Sequence, residues 1–271
     1  MIPATFEYEL ADSVEGAIEL LGSSADAKLI AGGHSLLPLM KLRLARPDLL
    51  VDVGRLSDLA YVREDGDRIA MGALTRHHDL ERDALVHERC AIIAHTAAEI
   101  GDPQVRHRGT IGGSVAHGDP ASDLPTVLLA LEAELVVRGP EGERTIAAAD
   151  FFTGFLQTAL GSQDVLTEIR VPASEGGTYV KFNRRAQDWA TVGVAAVRAN
   201  GGVHVALTNM GATPLRAGGV EEALAGGADP AAAAERAAEG TSPPSDPNGS
   251  AEYREHLARV LVRRALAEVA A

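Results

Sequence analysis

With 271 residues the chain has room for one large domain or two to three small ones, and its 46% hydrophobic and 23% charged content is that of an ordinary globular protein. A formal charge of −13, from 25 basic and 38 acidic side chains, argues against nucleic acid or an anionic membrane surface as a partner. No apolar run reaches the roughly 18 residues of a membrane span, and the N-terminus lacks the basic and apolar regions of a secretory signal, so a cytoplasmic location is expected.

In chain order, Asp12-Ser13-Val14-Glu15 has capping-box spacing and opens a helix through Ala17, Ile18, Leu20 and Leu21 that stops at Gly22. Residues 28–31 read as a short buried strand running into the turn Ala31-Gly32-Gly33-His34-Ser35. Residues 35–42 read as a helix with Pro38 in its first turn, and 49–53 as the next strand. This is a βαβ unit with a glycine turn at the carboxyl end of its first strand, where open α/β sheets bind ligands. A second unit starts near Leu56, with a strand at 68–73, a short helix capped by Thr75 that carries His77 and His78, and a longer helix over about 87–100. Its single cysteine, Cys90, lies in an apolar stretch and reads as a buried structural thiol; alone it cannot hold an iron–sulfur cluster.

The loop 101–108 leads into the longest glycine-rich stretch, Gly109 to Asp123, read as a side-chain-poor loop between apolar segments. A buried helix over 124–131 and strands at 134–138 and 164–171 follow. From Gly176 the texture changes: 179–185, 191–199 and 203–209 pattern as antiparallel strands, with Asn200-Gly201-Gly202 as a hairpin turn. Helices come last, at 220–224, 230–238 and 252–270, the final two separated by an exposed connector at 241–250.

Glycine allows positive-φ turns and close approach of backbone N–H groups, so two glycine turns that each lead into a helix suggest two jaws on one phosphate-bearing ligand. The same residues also admit two ordinary tight turns. Neither turn is a P-loop or a G-x-G-x-x-G fingerprint, and the adjacent His77 and His78 cannot share a helix face, so no metal site is expected. His34 and His117 sit in the glycine turns, where they either brace the loop or reach a phosphate or ribityl oxygen. The clusters Arg106-His107-Arg108 and Lys181, Arg184 and Arg185 are either solvated surface or holders of an anion. Asp123 reads as a helix cap, in a position that also suits accepting bonds from sugar-like hydroxyls. No Ser–His–Asp arrangement can be read from residue order alone, so a hydrolase is only a background reading.

Ala-Gly-Gly-His-Ser at 31–35 and Thr-Ile-Gly-Gly-Ser at 110–114, followed by Ala-His-Gly-Asp-Pro-Ala-Ser-Asp-Leu-Pro, resemble the FAD-binding medium subunits of molybdenum hydroxylases, the family of the aerobic carbon monoxide dehydrogenase medium subunit and the xanthine dehydrogenase FAD subunit. The resemblance spans the chain, including Asp188-Trp189-Ala190. It implies an α+β protein. Two α/β subdomains, residues 1–55 and 56–175, would form a vanillyl-alcohol-oxidase-type FAD-binding fold, beside a C-terminal α+β domain, residues 176–271, with an antiparallel sheet and helices.

It implies non-covalent FAD lined by Lys28, Leu29, Ile30, Ala31, Gly32, Gly33, His34 and Ser35, with the N–H groups of Gly32 through Ser35 on the pyrophosphate. Thr110, Gly112, Gly113 and Ser114 would form the opposite jaw, Ser114 standing where relatives often carry Asp or Asn. Ile100, Gly101, His117 and Asp123 would meet the ribityl, flavin or adenosine parts. Leu166 would pack near the adenine, and Lys181 would approach the isoalloxazine and favour its anionic reduced form. The implied partners are a small subunit with two [2Fe–2S] clusters and a large molybdopterin subunit, in a dimer of heterotrimers; electrons would leave to NAD, a quinone or oxygen. Two rival readings are a stand-alone FAD-dependent oxidase or reductase and a nucleotide-binding module without redox chemistry.

Overall fold

The computed structural model describes residues 1–174, 176–199 and 201–270. At the N-terminus, β1 (Glu7–Leu10), α1 (Val14–Gly22), β2 (Ala27–Ile30), α2 (Leu36–Lys41) and β3 (Leu49–Asp52) build a parallel sheet of order β1-β3-β2. The expected βαβ unit is there, with β1 added at its edge. Leu49, Leu50 and Val51 of the central strand are all buried, as in a strand covered on both faces. Ser13 caps α1, its hydroxyl accepting from Gly16 N at 3.0 Å. The residue three beyond the cap is therefore Gly16, so the expected capping box is absent.

The second unit holds β4 (Val62–Asp65), β5 (Arg68–Gly72), α3 (His77–Arg82), α4 (Ala84–Arg89), α5 (Ala91–Ala98), α6 (Pro103–Arg106), α7 (Ile111–His117) and α8 (Asp123–Ala130). After these come β6 (Glu134–Gly139), β7 (Gly142–Ala147), α9 (Ala148–Phe151), the small hairpin β8 (Phe152–Gly154) and β9 (Gln157–Thr158), and β10 (Val165–Pro172). Its sheet has the order β4-β5-β10-β6-β7 and is antiparallel throughout.

Three local expectations change here. Thr75 does not cap α3; its hydroxyl turns back to Tyr61, accepting from N at 3.1 Å and donating to O at 2.9 Å. The single helix expected over 87–100 is broken at Cys90, where φ is −157°. Burial pushes that thiol up to about 11. Beyond Thr110 the Gly109–Asp123 stretch is loop only at 118–122: Thr110 caps α7, which runs straight through Gly112 and Gly113, and Ser122 rather than Asp123 stands at the cap position of α8. Every residue of α8 is buried, as its apolar sequence requires.

The C-terminal sheet has the order β11-β12-β13-β14, from β11 (Gly176–Phe182), β12 (Val192–Ala199), β13 (Gly202–Thr208) and β14 (Leu215–Arg216). It is followed by α10 (Gly218–Ala225), α11 (Pro230–Ala234) and α12 (Ala251–Ala270). β12 is buried on both faces. Ala195 and Val197 enter the core shared with α5 and α8, while Val192, Val194 and Ala196 enter a second core with α12. Its side chains therefore alternate between two cores rather than between core and water. Asn200 of the expected hairpin turn and Glu175 at the expected domain boundary lie outside the described residues. Among the described residues no helix is long and apolar enough to cross a membrane.

Candidate functional site

A cleft of about 1000 Å³ runs between the N-terminal sheet, α7 and the edge of the C-terminal sheet. Lys28, Leu29, Ile30, Ala31, Gly32, Gly33, His34 and Ser35 line it from the end of β2 and the turn after it. Thr110, Gly112, Gly113, Ser114 and His117 line it from α7, and Ile100, Gly101, Asp123, Leu166 and Lys181 complete it. The two glycine turns meet directly. A Cβ on Gly32 would lie 2.3 Å from Arg108 O and 2.9 Å from Gly109 Cα, so only glycine lets these backbones touch.

The turns differ in what their N–H groups do. In the first, Gly33 has φ +78°, α2 starts without a side-chain cap, and the N–H groups of Gly32, Gly33, His34 and Ser35 find no acceptor among the described residues. In the second, Ile111 N donates to Thr75 O at 3.0 Å and Gly112 N to Ala73 O at 2.8 Å. Gly113 N donates to Thr110 Oγ1 at 3.1 Å and Ser114 N to Thr110 O at 3.0 Å. Only Thr110 keeps a free N–H there, among the described residues. Gly112 serves packing: a Cβ would lie 2.5 Å from Ala73 Cβ and 2.6 Å from Ala73 O. Two equivalent loops, each presenting its backbone, is thus corrected to one donor-rich turn facing a capped helix whose exposed Gly113 and half-buried Ser114 look into the cleft.

At the far side Lys181 Nζ reaches Asp123 Oδ2 at 3.1 Å, with side chains only 4% and 6% exposed, and donates also to Glu99 O at 3.3 Å. The Tyr179 hydroxyl donates to Asp123 Oδ1 at 2.7 Å. Burial pushes the Asp123 carboxyl up, and Lys181 and Tyr179 oppose that. Asp123 is thus less a helix cap than one half of a buried ion pair.

His77 lies beneath the second turn. Burial holds its imidazole down at about 4, with Arg106 and His34 adding to the effect, so it is neutral at pH 7; its Nδ1 has no partner among the described residues. A Cβ on Gly109 would come within 2.8 Å of the ring. Neither His34 nor His117 makes a ring hydrogen bond among the described residues, and burial lowers the pKa of His117. Arg106 is committed to Glu81 at 2.9 Å and to the carbonyls of Ile100 and Gly101, each at 3.2 Å. His107 stacks on His78 at 3.9 Å, and Arg184 donates to Pro247 O. These contacts make Arg106 and His107 loop braces rather than a shared anion holder.

Sequence reading missed the β8–β9 hairpin, whose Thr153, Leu156, Gln157 and Thr158 line the cleft, together with Gln187 and the half-exposed Trp189 beyond β11. Leu156 and Gln187 adopt φ +55° and +67° without being glycine, so their turns carry no composition signal.

Residues 4–174 match the family model described as the FAD binding domain in molybdopterin dehydrogenase, and residues 177–269 match the CO dehydrogenase flavoprotein C-terminal domain. The carbon monoxide dehydrogenase medium chain of Hydrogenophaga pseudoflava is 44% identical over 98% of this chain and 97% of that one. The glyceraldehyde dehydrogenase medium chain of Sulfolobus acidocaldarius is 37% identical over the whole of both, 100% and 100%. Among solved structures, carbon monoxide dehydrogenase from Hydrogenophaga pseudoflava lacking the Mo-pyranopterin moiety superposes with TM-score 0.95 at 45% identity, covering 99% of this chain and 98% of that one.

Proposed function

Since this chain belongs to the family of FAD-binding subunits of molybdopterin dehydrogenases, we propose that it serves as the electron-transfer subunit of a heterotrimeric molybdenum hydroxylase, with FAD held in the cleft just described. The observation that carries the reading is the set of N–H groups from Gly32 to Ser35 without acceptors. Half-buried or exposed at the cleft, these donors have no protein acceptor among the described residues, and a diphosphate seated there would replace water as their partner. The residues fit the group. The first turn would hold the diphosphate, Gly113, Ser114 and His117 would form the facing wall, Ile100 and Leu166 would supply apolar contact, and Asp123 and Lys181 a polar end.

When bound, FAD supplies a store that takes electrons singly from iron–sulfur donors and yields them in pairs. The chain's own residues bind, orient and shield that group; Lys181, paired with Asp123, presents a dipole rather than the bare cation expected from sequence. A small [2Fe–2S] subunit and a large molybdopterin subunit would carry the remaining centres, in a cytoplasmic dimer of heterotrimers that passes electrons to NAD, a quinone or oxygen. The relatives' description as medium chains supports a smaller and a larger companion chain. The chain would divide into 1–55, 56–175 and 176–271; the matched segments, 4–174 and 177–269, support the second boundary, and the separate sheets of β1–β3 and β4–β10 support the first.

Purified with FAD, the chain is expected to show bound-flavin bands near about 370 and 450 nm and no turnover of organic substrates by itself. A chain that stays colourless contradicts the proposal. Turnover without partners would instead favour a self-sufficient oxidase or reductase.

A further inference from the structure

The pair of Asp123 and Lys181 is held from behind. Tyr179 and Lys181 are two positions apart on β11 and share one face of its sheet. In the register, Lys181 stands opposite Gly193 and Gly193 opposite Thr208, one line across three strands. Because Gly193 has no side chain, the phenol of Tyr179 fits over it. A Cβ there would lie 2.3 Å from the phenol oxygen and 2.8 Å from Thr208 Oγ1. In that gap the phenol donates to Asp123 Oδ1 at 2.7 Å and lies 3.1 Å from Thr208 Oγ1, which donates onward to Thr126 Oγ1 at 2.8 Å.

Asp123 and Lys181 line the cleft, whereas Tyr179 does not. With one oxygen on the phenol and the other on the ammonium, the carboxylate cannot swing. Lys181 has three N–H donors; Asp123 and Glu99 O take two, and the third has no acceptor among the described residues.

We infer that Tyr179 is a positioning residue of the cleft: seated over Gly193, it fixes Asp123 by one oxygen so that the other orients Lys181 and turns the lysine's remaining N–H toward the bound dinucleotide. The inference rests on the FAD reading above. The charged and titratable groups facing Asp123 are Lys181, Tyr179 and Glu99, and the phenol's bond opposes the upward push of burial. Without that bond Asp123 takes up its proton at higher pH.

The test is FAD binding to the full chain, followed by flavin fluorescence, for wild type, Tyr179→Phe, Lys181→Gln and the double variant. Tyr179→Phe keeps the ring and is expected to leave the circular dichroism spectrum unchanged. It is expected to bind FAD about tenfold more weakly, the effect of losing a hydrogen bond to a charged group, with the acid limb of binding moved to higher pH. In the Lys181→Gln background the same change is expected to cost nothing further, because both act through one group. Gly193→Ala, which displaces the phenol without removing it, is expected to fall with Tyr179→Phe. Equal binding by wild type and Tyr179→Phe, or losses that add in the double variant, overturns the positioning role and leaves the flavin reading standing. A wild-type chain that takes up no FAD contradicts that reading itself, and this inference with it.

Discussion

Gly32-Gly33 and Gly112-Gly113 look alike in sequence, and both pairs lie where the chain enters a short helix. Their first glycines do the same work, since Gly32 touches the backbone of Arg108 and Gly109 and Gly112 touches that of Ala73. Their second glycines part company. Gly33 takes φ +78° and belongs to a run of N–H groups with no acceptor, whereas Gly113 is helical and its N–H is already bonded to Thr110 Oγ1. Glycine content alone therefore does not locate a phosphate cradle. Under the FAD reading proposed above, the unpaired donors mark it.

The largest effect expected from this contrast is on folding. Gly112→Ala drives a Cβ onto the backbone of Ala73, where neither partner can swing aside, and is expected to lower stability by about 3 kcal/mol in urea unfolding. An unchanged midpoint would refute the packing role.

A pH dependence of similar size comes from the buried imidazole of His77, whose backbone N–H donates to Gly109 O at 3.0 Å below the second turn. Burial holds its pKa in the fold at about 4, below the ordinary imidazole value of 6.5, so the unfolded chain takes the proton first. The contribution is complete above 6.5 and is lost as pH falls toward 4, on the order of 3 kcal/mol. His77→Gln is expected to flatten that slope.

Gly33→Ala should separate the turns most cleanly. Forcing alanine to positive φ costs about 1–2 kcal/mol of stability, while turning the free donors aside is expected to weaken FAD about tenfold in a fluorescence titration. The smallest effect belongs to Thr110→Val, which removes the cap on Gly113 N. A stability loss of about 1 kcal/mol is expected, with FAD affinity changed far less than by Gly33→Ala.

Much of this arrangement is legible in the residues themselves. The βαβ unit, the first glycine turn and the buried α8 follow from apolar runs and turn chemistry, and the motif resemblance brought together residues that all line one cleft. The unread parts have physical reasons. β4 and β7 are sheet-edge strands of exposed and half-buried side chains, so no buried apolar run marks them, and the alternation of Glu7, Tyr8, Glu9 and Leu10 in β1 lasts only four residues, all exposed. The glycines of α7 pattern as loop because glycine is a poor helix former; the Thr110 cap and contact with Ala73 override that preference. The partners of Asp123 lie 56 and 58 residues away, beyond any local pattern. Only the register of β11 with β12 brings Tyr179 and Gly193 together.

The most direct test of the asymmetry between the turns is residue-resolved amide hydrogen exchange, with and without FAD. The N–H groups of residues 32–35 should exchange fast in the free chain and be strongly protected by FAD, while those of 111–114, already bonded within the protein, should be slow in both. Unchanged exchange at 32–35, or protection appearing only at 111–114, would contradict the account.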